Sequence, residues 1–192
     1  MAESHLVQSA AQIKNLREAV AATEWQGCIN CDSITLYDYT GRRNKVSGGS
    51  MAHRLERFKT NLQHAIHGHR FNLVWIMEEY FDSYSQSYKA PHATIFLGRL
   101  PLHSLLKTHG SPESVKQWLH TVLKRSGLKV KDNLIRLNYS DINFWNFIAD
   151  EQERKHYIWY ETKRLDDGLS VNNTKLGFTK YWINSVRKEM KI

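Results

Sequence analysis

The 192-residue chain carries 27 Lys and Arg against 19 Asp and Glu, a formal charge of +8, with 41% hydrophobic and 11% aromatic residues. That hydrophobic share builds a real core, which excludes global disorder, and the length fits one domain with appendages. Excess positive charge concentrates polyanions and makes nucleic acid the natural partner. An anionic membrane surface fits less well, because the basic residues are spread along the chain, and no segment approaches the roughly 18 apolar residues of a bilayer span.

The start, MAESHLVQSAAQ, lacks a basic run before an apolar one, so no secretory signal is expected and the cytoplasm is the expected location. Residues 6–23 predict an accessory helix, with Leu6, Ile13, Leu16 and Val20 roughly on one face. Cys28 and Cys31 form a lone Cys-x-x-Cys with no second pair to complete a zinc site, and are expected as ordinary reduced cysteines entering the first strand. The alternating, β-rich run Ser33–Tyr39 predicts that strand, and TGRRNKVSGGS a basic loop after it. In residues 51–67 the spacing of Leu55, Phe58, Leu62 and Ile66 predicts an amphipathic helix. Phe71–Tyr80 and His92–Leu97 read as two strands joined by the polar, tyrosine-rich loop FDSYSQSYKA.

Ser111-Pro112-Glu113 is a helix start, with a hydroxyl cap and proline in the first turn, and Gly127 ends that helix. Leu134–Leu137 predicts a short strand, and residues 142–164 and 177–190 predict helices. The expected order is strand, helix, strand, strand, helix, strand. This is the α+β split β-α-β-β-α-β pattern of ferredoxin-like and RRM-like domains, an antiparallel sheet with helices over one face and appended helices. One domain is expected over 1–192, with 1–30 as the N-terminal accessory, 31–165 as the core and 166–192 as a C-terminal basic helix. The second sheet face is expected to be open for binding.

Strand alternation places Phe71, Leu73, Trp75 and Met77 on one face of their strand, with Asn72, Val74, Ile76 and Glu78 on the other. Ala93, Ile95 and Leu97 form a core set, so His92, Thr94 and Phe96 face away from it. A His and a Glu on neighbouring strands suit Mg²⁺ or Mn²⁺ when phosphate oxygens complete the shell; the alternative is a surface His and Glu at strand ends. Downstream, Tyr157, Tyr160 and Lys163 share a face if HYIWYETK is helical. A tyrosine hydroxyl attacks phosphodiesters and a lysine neutralises the phosphate, whereas the plainer reading is an aromatic, basic face that only packs and contacts phosphate.

The run Trp75-Ile-Met-Glu78, a loop, Pro91-His92-Ala-Thr-Ile-Phe-Leu97 and then Tyr160-Glu-Thr-Lys163 resembles the HUH endonucleases, most of all the rolling-circle replication initiators of inoviruses and related prophages. The likeness covers roughly residues 33–165 and rests on short motifs in the family's order. It implies Glu78 and His92 as ligands of Mg²⁺ or Mn²⁺, Tyr160 as the nucleophile that leaves a 5′-phosphotyrosine on single-stranded or hairpin DNA, Lys163 as a phosphate-orienting group and Tyr157 as a second tyrosine. It also implies host replication proteins as partners.

One position departs from the family pattern: Thr94 stands where a second histidine is expected, and a neutral hydroxyl is a poor metal ligand. A non-cleaving nucleic-acid-binding module of the same fold, or a mobile-element regulator that binds a host protein, is therefore the alternative. Arg42, Arg43 and Lys45 of the basic loop, Arg164, and the residue 175–191 tail suit phosphate contacts, and Tyr84 and Tyr88 suit base stacking; solvated loop and helix faces are the plainer reading of each.

Overall fold

The computed structural model describes residues 10–33, 48–78, 81–82, 84, 87–88, 91–130, 151–162 and 175–190, and thirteen elements lie among these described residues. In chain order they are α1 (Ala10–Ala22), β1 (Gly27–Ser33), α2 (Gly48–Ala65), β2 (Asn72–Glu78), β3 (Phe81–Asp82), β4 (Ser87–Tyr88), β5 (His92–Gly98), α3 (Leu102–His109), α4 (Pro112–Arg125), β6 (Leu128–Val130), α5 (Glu151–Glu161), β7 (Lys175–Phe178) and α6 (Lys180–Met190). Five strands form one antiparallel sheet in the order β6-β1-β5-β2-β7. Without β7, this is the 4-1-3-2 arrangement of a split βαβ unit, as the sequence order predicts.

β1 and β6 occupy residues that local propensity leaves unassigned. The first begins at Gly27, before the expected Ser33–Tyr39, and residues 34–47 lie outside the described set. The fourth is Leu128–Val130, and the expected strand Leu134–Leu137 lies outside the described residues. β1 is central, paired with β5 on one side and β6 on the other, and sits between helices on both faces. Such a strand is selected by burial rather than by β-branched content, so small residues such as Cys28 and Cys31 suffice. β6 follows directly from the end of α4, where Gly127 takes φ +84 and turns the chain back.

The sheet is covered on both faces, which corrects the expectation of an open face. On one side Ile29, Leu73, Trp75, Met77, Ala93, Ile95 and Leu97 pack against Leu55, Phe58 and Leu62 of α2 and Val115, Leu119 and Val122 of α4. On the other side Cys28, Val74, Ile76 and Phe96 lie under Leu16 and Val20 of α1, Ile158 of α5 and Trp182 of α6. The expected alternation of β2 and β5 is therefore present, with each parity set given its own core. Cys28 and Cys31 enter different cores, both as free thiols, so they neither chelate one ion nor pair with each other. Burial first, and the charge of Asp32 second, push the Cys31 thiol far above the usual thiol range.

Capping follows the sequence signals at α4: Ser111 Oγ accepts from the Ser114 N–H at 3.2 Å, and Pro112 opens the helix. The C-terminal segment expected as helix 177–190 instead enters as β7 before α6 begins. Gly177 permits this, because a Cβ there would meet the Trp75 indole at 2.3 Å. Trp75 is itself fixed by donation from Nε1 to Glu56 Oε1 at 3.1 Å. The Thr179 hydroxyl extends the β7–β2 junction, accepting from the Leu73 N–H at 3.2 Å and donating to the Phe71 carbonyl at 3.1 Å.

A buried arginine ties α1 to α5. Arg17 is 5% exposed; its Nη2 donates to the Trp159 carbonyl at 2.6 Å and its Nε to Thr162 Oγ1 at 3.3 Å. A cation at the end of α5 satisfies a carbonyl left over by the helix and complements its dipole. The same guanidinium lies 3.5 Å from the Trp159 ring centroid.

Candidate functional site

Antiparallel register sets the candidate site at one end of the β2–β5 pair. Glu78, the last residue of β2, is directly opposite His92, the first of β5, and His92 is in turn opposite Asp32 of β1. Directly opposed residues share a sheet face, so a carboxylate, an imidazole and a carboxylate form one cross-strand row. His92 Nε2 is 3.6 Å from Glu78 Oε2, with side chains 47% and 22% exposed, so the pair is reachable from solvent. The sequence placed Glu78 and His92 together correctly. It missed Asp32, because the first strand was expected farther along the chain.

One rung inward, Thr94 faces Asn30 on β1 and Ile76 on β2. Its Oγ1 is 2.8 Å from Asn30 Oδ1 and 3.0 Å from Glu161 Oε2. A hydroxyl has one proton, so it cannot donate to both. The count balances when the Asn30 amide is turned so that Nδ2 donates to Thr94 and Thr94 donates to the Glu161 carboxylate. Thr94 is only 5% exposed. The residue in the expected second-histidine position is therefore a buried clasp that holds the end of α5 to the sheet.

That clasp determines where Tyr160 lies. Positions i and i+2 on one strand face are about 7 Å apart, so Glu161 is held roughly that far along β5 from the His92 position. Tyr160 is the preceding residue on α5 and is 55% exposed. Successive helical residues are about 100° apart around the axis. Ile158 and Thr162 are buried and Glu161 reaches Thr94, so Tyr160 lies on the solvent arc next to the Glu161 edge. Trp159 lies farther around, next to the α1 edge held by Arg17.

Of the other expected site residues, Tyr84 is 99% exposed beyond β3, in the ribbon that leaves the Glu78–His92 end of the sheet. Tyr88 is in β4, opposite Phe81, in what was expected to be plain loop. The backbone of Tyr157 is in α5; its side chain lies outside the described residues, as do Lys163, Arg164, Arg42, Arg43 and Lys45.

The two-donor pair suits a hard cation that completes its shell with water and phosphate oxygens, as Mg²⁺ and Mn²⁺ do at phosphoryl-transfer sites. It is not an all-protein cage: among the described residues, no three His, Cys, Asp or Glu side chains stand close enough to hold one ion. Thr94 cannot complete such a cage, because its hydroxyl is already committed between Asn30 and Glu161. Comparison with known proteins adds no further constraint: no protein-family model, curated protein or solved structure matches this chain.

Proposed function

We propose that this chain is a replication-initiator-like nuclease that nicks single-stranded or hairpin DNA through a covalent tyrosine intermediate. The observation that carries the reading is the Glu78–His92 pair at 3.6 Å, with the end of α5 tethered one rung away through Glu161 and Thr94. The phenolic oxygen of Tyr160 attacks the scissile phosphorus and forms a tyrosyl–phosphate ester. The bond to the 3′-oxygen breaks, that oxygen takes up a proton, and the phenol proton passes to solvent. The free 3′-hydroxyl then primes synthesis, and its return attack on the ester reseals the strand. A divalent cation held by Glu78 and His92 would neutralise charge developing on the phosphate. The net charge of +8 favours capture of the polyanion.

The test mixes the protein with end-labelled single-stranded or hairpin DNA and Mn²⁺ and looks for a covalent adduct on denaturing gels. The expected result is an adduct that disappears in Tyr160→Phe and falls at least tenfold in Glu78→Gln and His92→Gln. An adduct that persists in Tyr160→Phe would move the nucleophile to another residue, with Tyr157 the first to try.

A second reading, a nucleic-acid-binding module without cleavage, is favoured by one observation: the expected second ligand is a buried Thr94 with both its polar neighbours in place. Tight, salt-sensitive DNA binding with no adduct under any divalent cation would select it.

A further inference from the structure

We infer that Trp159 is a stacking platform for an unpaired base of single-stranded DNA. Trp159 is 43% exposed, whereas Trp25, Trp75 and Trp182 are each 4% exposed or less. The exposed indole presents a flat π-face of the kind on which unpaired bases stack. Its placement is enforced: Arg17 holds the Trp159 carbonyl and lies against the ring, so the indole is fixed before anything binds. A fixed ring avoids the ordering cost of stacking on a mobile one.

The surroundings select the occupant. Trp159 opens onto a shallow cleft of about 290 Å³ lined, among the described residues, also by Ala21, Lys155 and His156. Lys155 and His156 precede Trp159 by four and three positions, so they lie one turn back on the same side of α5. An aromatic floor flanked by the Lys155 ammonium and the His156 ring matches a base with its phosphate. Every base has a π-face, so this platform takes any sequence. Tyr160 is the neighbouring residue on the solvent arc of α5, so a base on Trp159 brings the adjoining backbone near the phenol.

The inference rests on the single-stranded-DNA reading but not on cleavage, and the two fail separately. Titration with a short oligo(dT), followed by tryptophan fluorescence and by anisotropy of a labelled copy, is expected to quench the wild type. Trp159→Ala is expected to weaken binding about tenfold or more. Trp159→Phe is expected to retain affinity within about threefold while losing most of the quench, which keeps a stacking ring and guards against a folding artefact. Lys155→Gln is expected to lower the slope of log affinity against log salt by about 1. Trp118→Phe, a partly buried site beside His109 in the other helical layer, is expected to leave the quench intact.

Wild-type affinity in a folded Trp159→Ala protein would overturn the platform, and so would a wild type that does not bind oligo(dT) at low salt. If Trp159→Ala binds normally while wild type still forms the Tyr160 adduct, the platform fails and the nuclease stands. If binding needs Trp159 and no adduct forms, the platform stands on the non-cleaving reading.

Discussion

Replacing Thr94 by valine keeps the shape of the side chain and removes only the hydroxyl that holds α5 to the sheet. A hydrogen bond to a charged group contributes about 1.5–3 kcal/mol. Glu161 is only partly buried, so water recovers some of its solvation and the low end of that range applies. The added methyl returns about 0.8 kcal/mol. The bond to Asn30 is lost as well, about 1 kcal/mol more, so the expected net loss is about 2 kcal/mol, read as a fall of about 1 M in the urea midpoint for an m-value of about 2 kcal/mol/M. Thr94→Ser retains the hydroxyl and is expected to keep the coupling to Glu161. In a double-mutant cycle with Glu161→Gln, the expected coupling is about 0.5–1.5 kcal/mol. Adduct formation by Thr94→Val is expected to fall by more than its stability explains, because Tyr160 loses its fixed position. Zero coupling with Glu161, or a valine variant as stable as wild type, would refute the clasp and leave α5 held by Arg17 and Ile158.

Three further outcomes follow from the packing. Arg17→Met is expected to raise hydrogen exchange in α5 while leaving β2 and β5 protected, since it removes the donor to the Trp159 carbonyl and the ring contact; uniform loss of protection would contradict a local role. Gly177→Ala places a methyl against the Trp75 ring, and an overpacking cost of about 2 kcal/mol is expected to lower Tm by about 4–8 °C in calorimetry. The Cys31 thiol stays protonated in the folded chain while the unfolded chain ionises near pH 8.5, so the folded state binds more protons above that value. Its contribution to stability is whole below about pH 8.5 and falls by about 1.4 kcal/mol per pH unit above it, a slope that Cys31→Ala is expected to remove in urea unfolding series.

The β2–β5 hairpin was legible in the sequence because alternation alone assigns each residue a face, and both faces are used. Its register brought Glu78 and His92 together without any other information. Residues 27–32 of β1 were missed because GCINCDS is poorer in β-formers than Ser33–Tyr39, and it is position between two partner strands that makes them a strand. With β1 went Asn30 and Asp32, the residues that complete the row and rung around His92. β7 was hidden by Gly177, which reads as a breaker until the Trp75 ring is seen to occupy the Cβ space. The covered second face depended on helices whose role is set by long-range contacts. Arg17, far from α5 in sequence, shows no local signature of a helix-end clamp.

The strand order also has a kinetic side. Only β2 and β5 among the sheet's neighbouring strands belong to one hairpin; Cys28 must find Phe96, and Trp75 must find Gly177. Distant pairings close slowly because the intervening chain must first be ordered. During synthesis the central hairpin, with Glu78 and His92 already opposed, is therefore available before β6, α5 and β7 exist. A chain stopped before α5 would hold the Glu78–His92 pair and lack Tyr160, so the fold assembles its central hairpin first and adds α5 late.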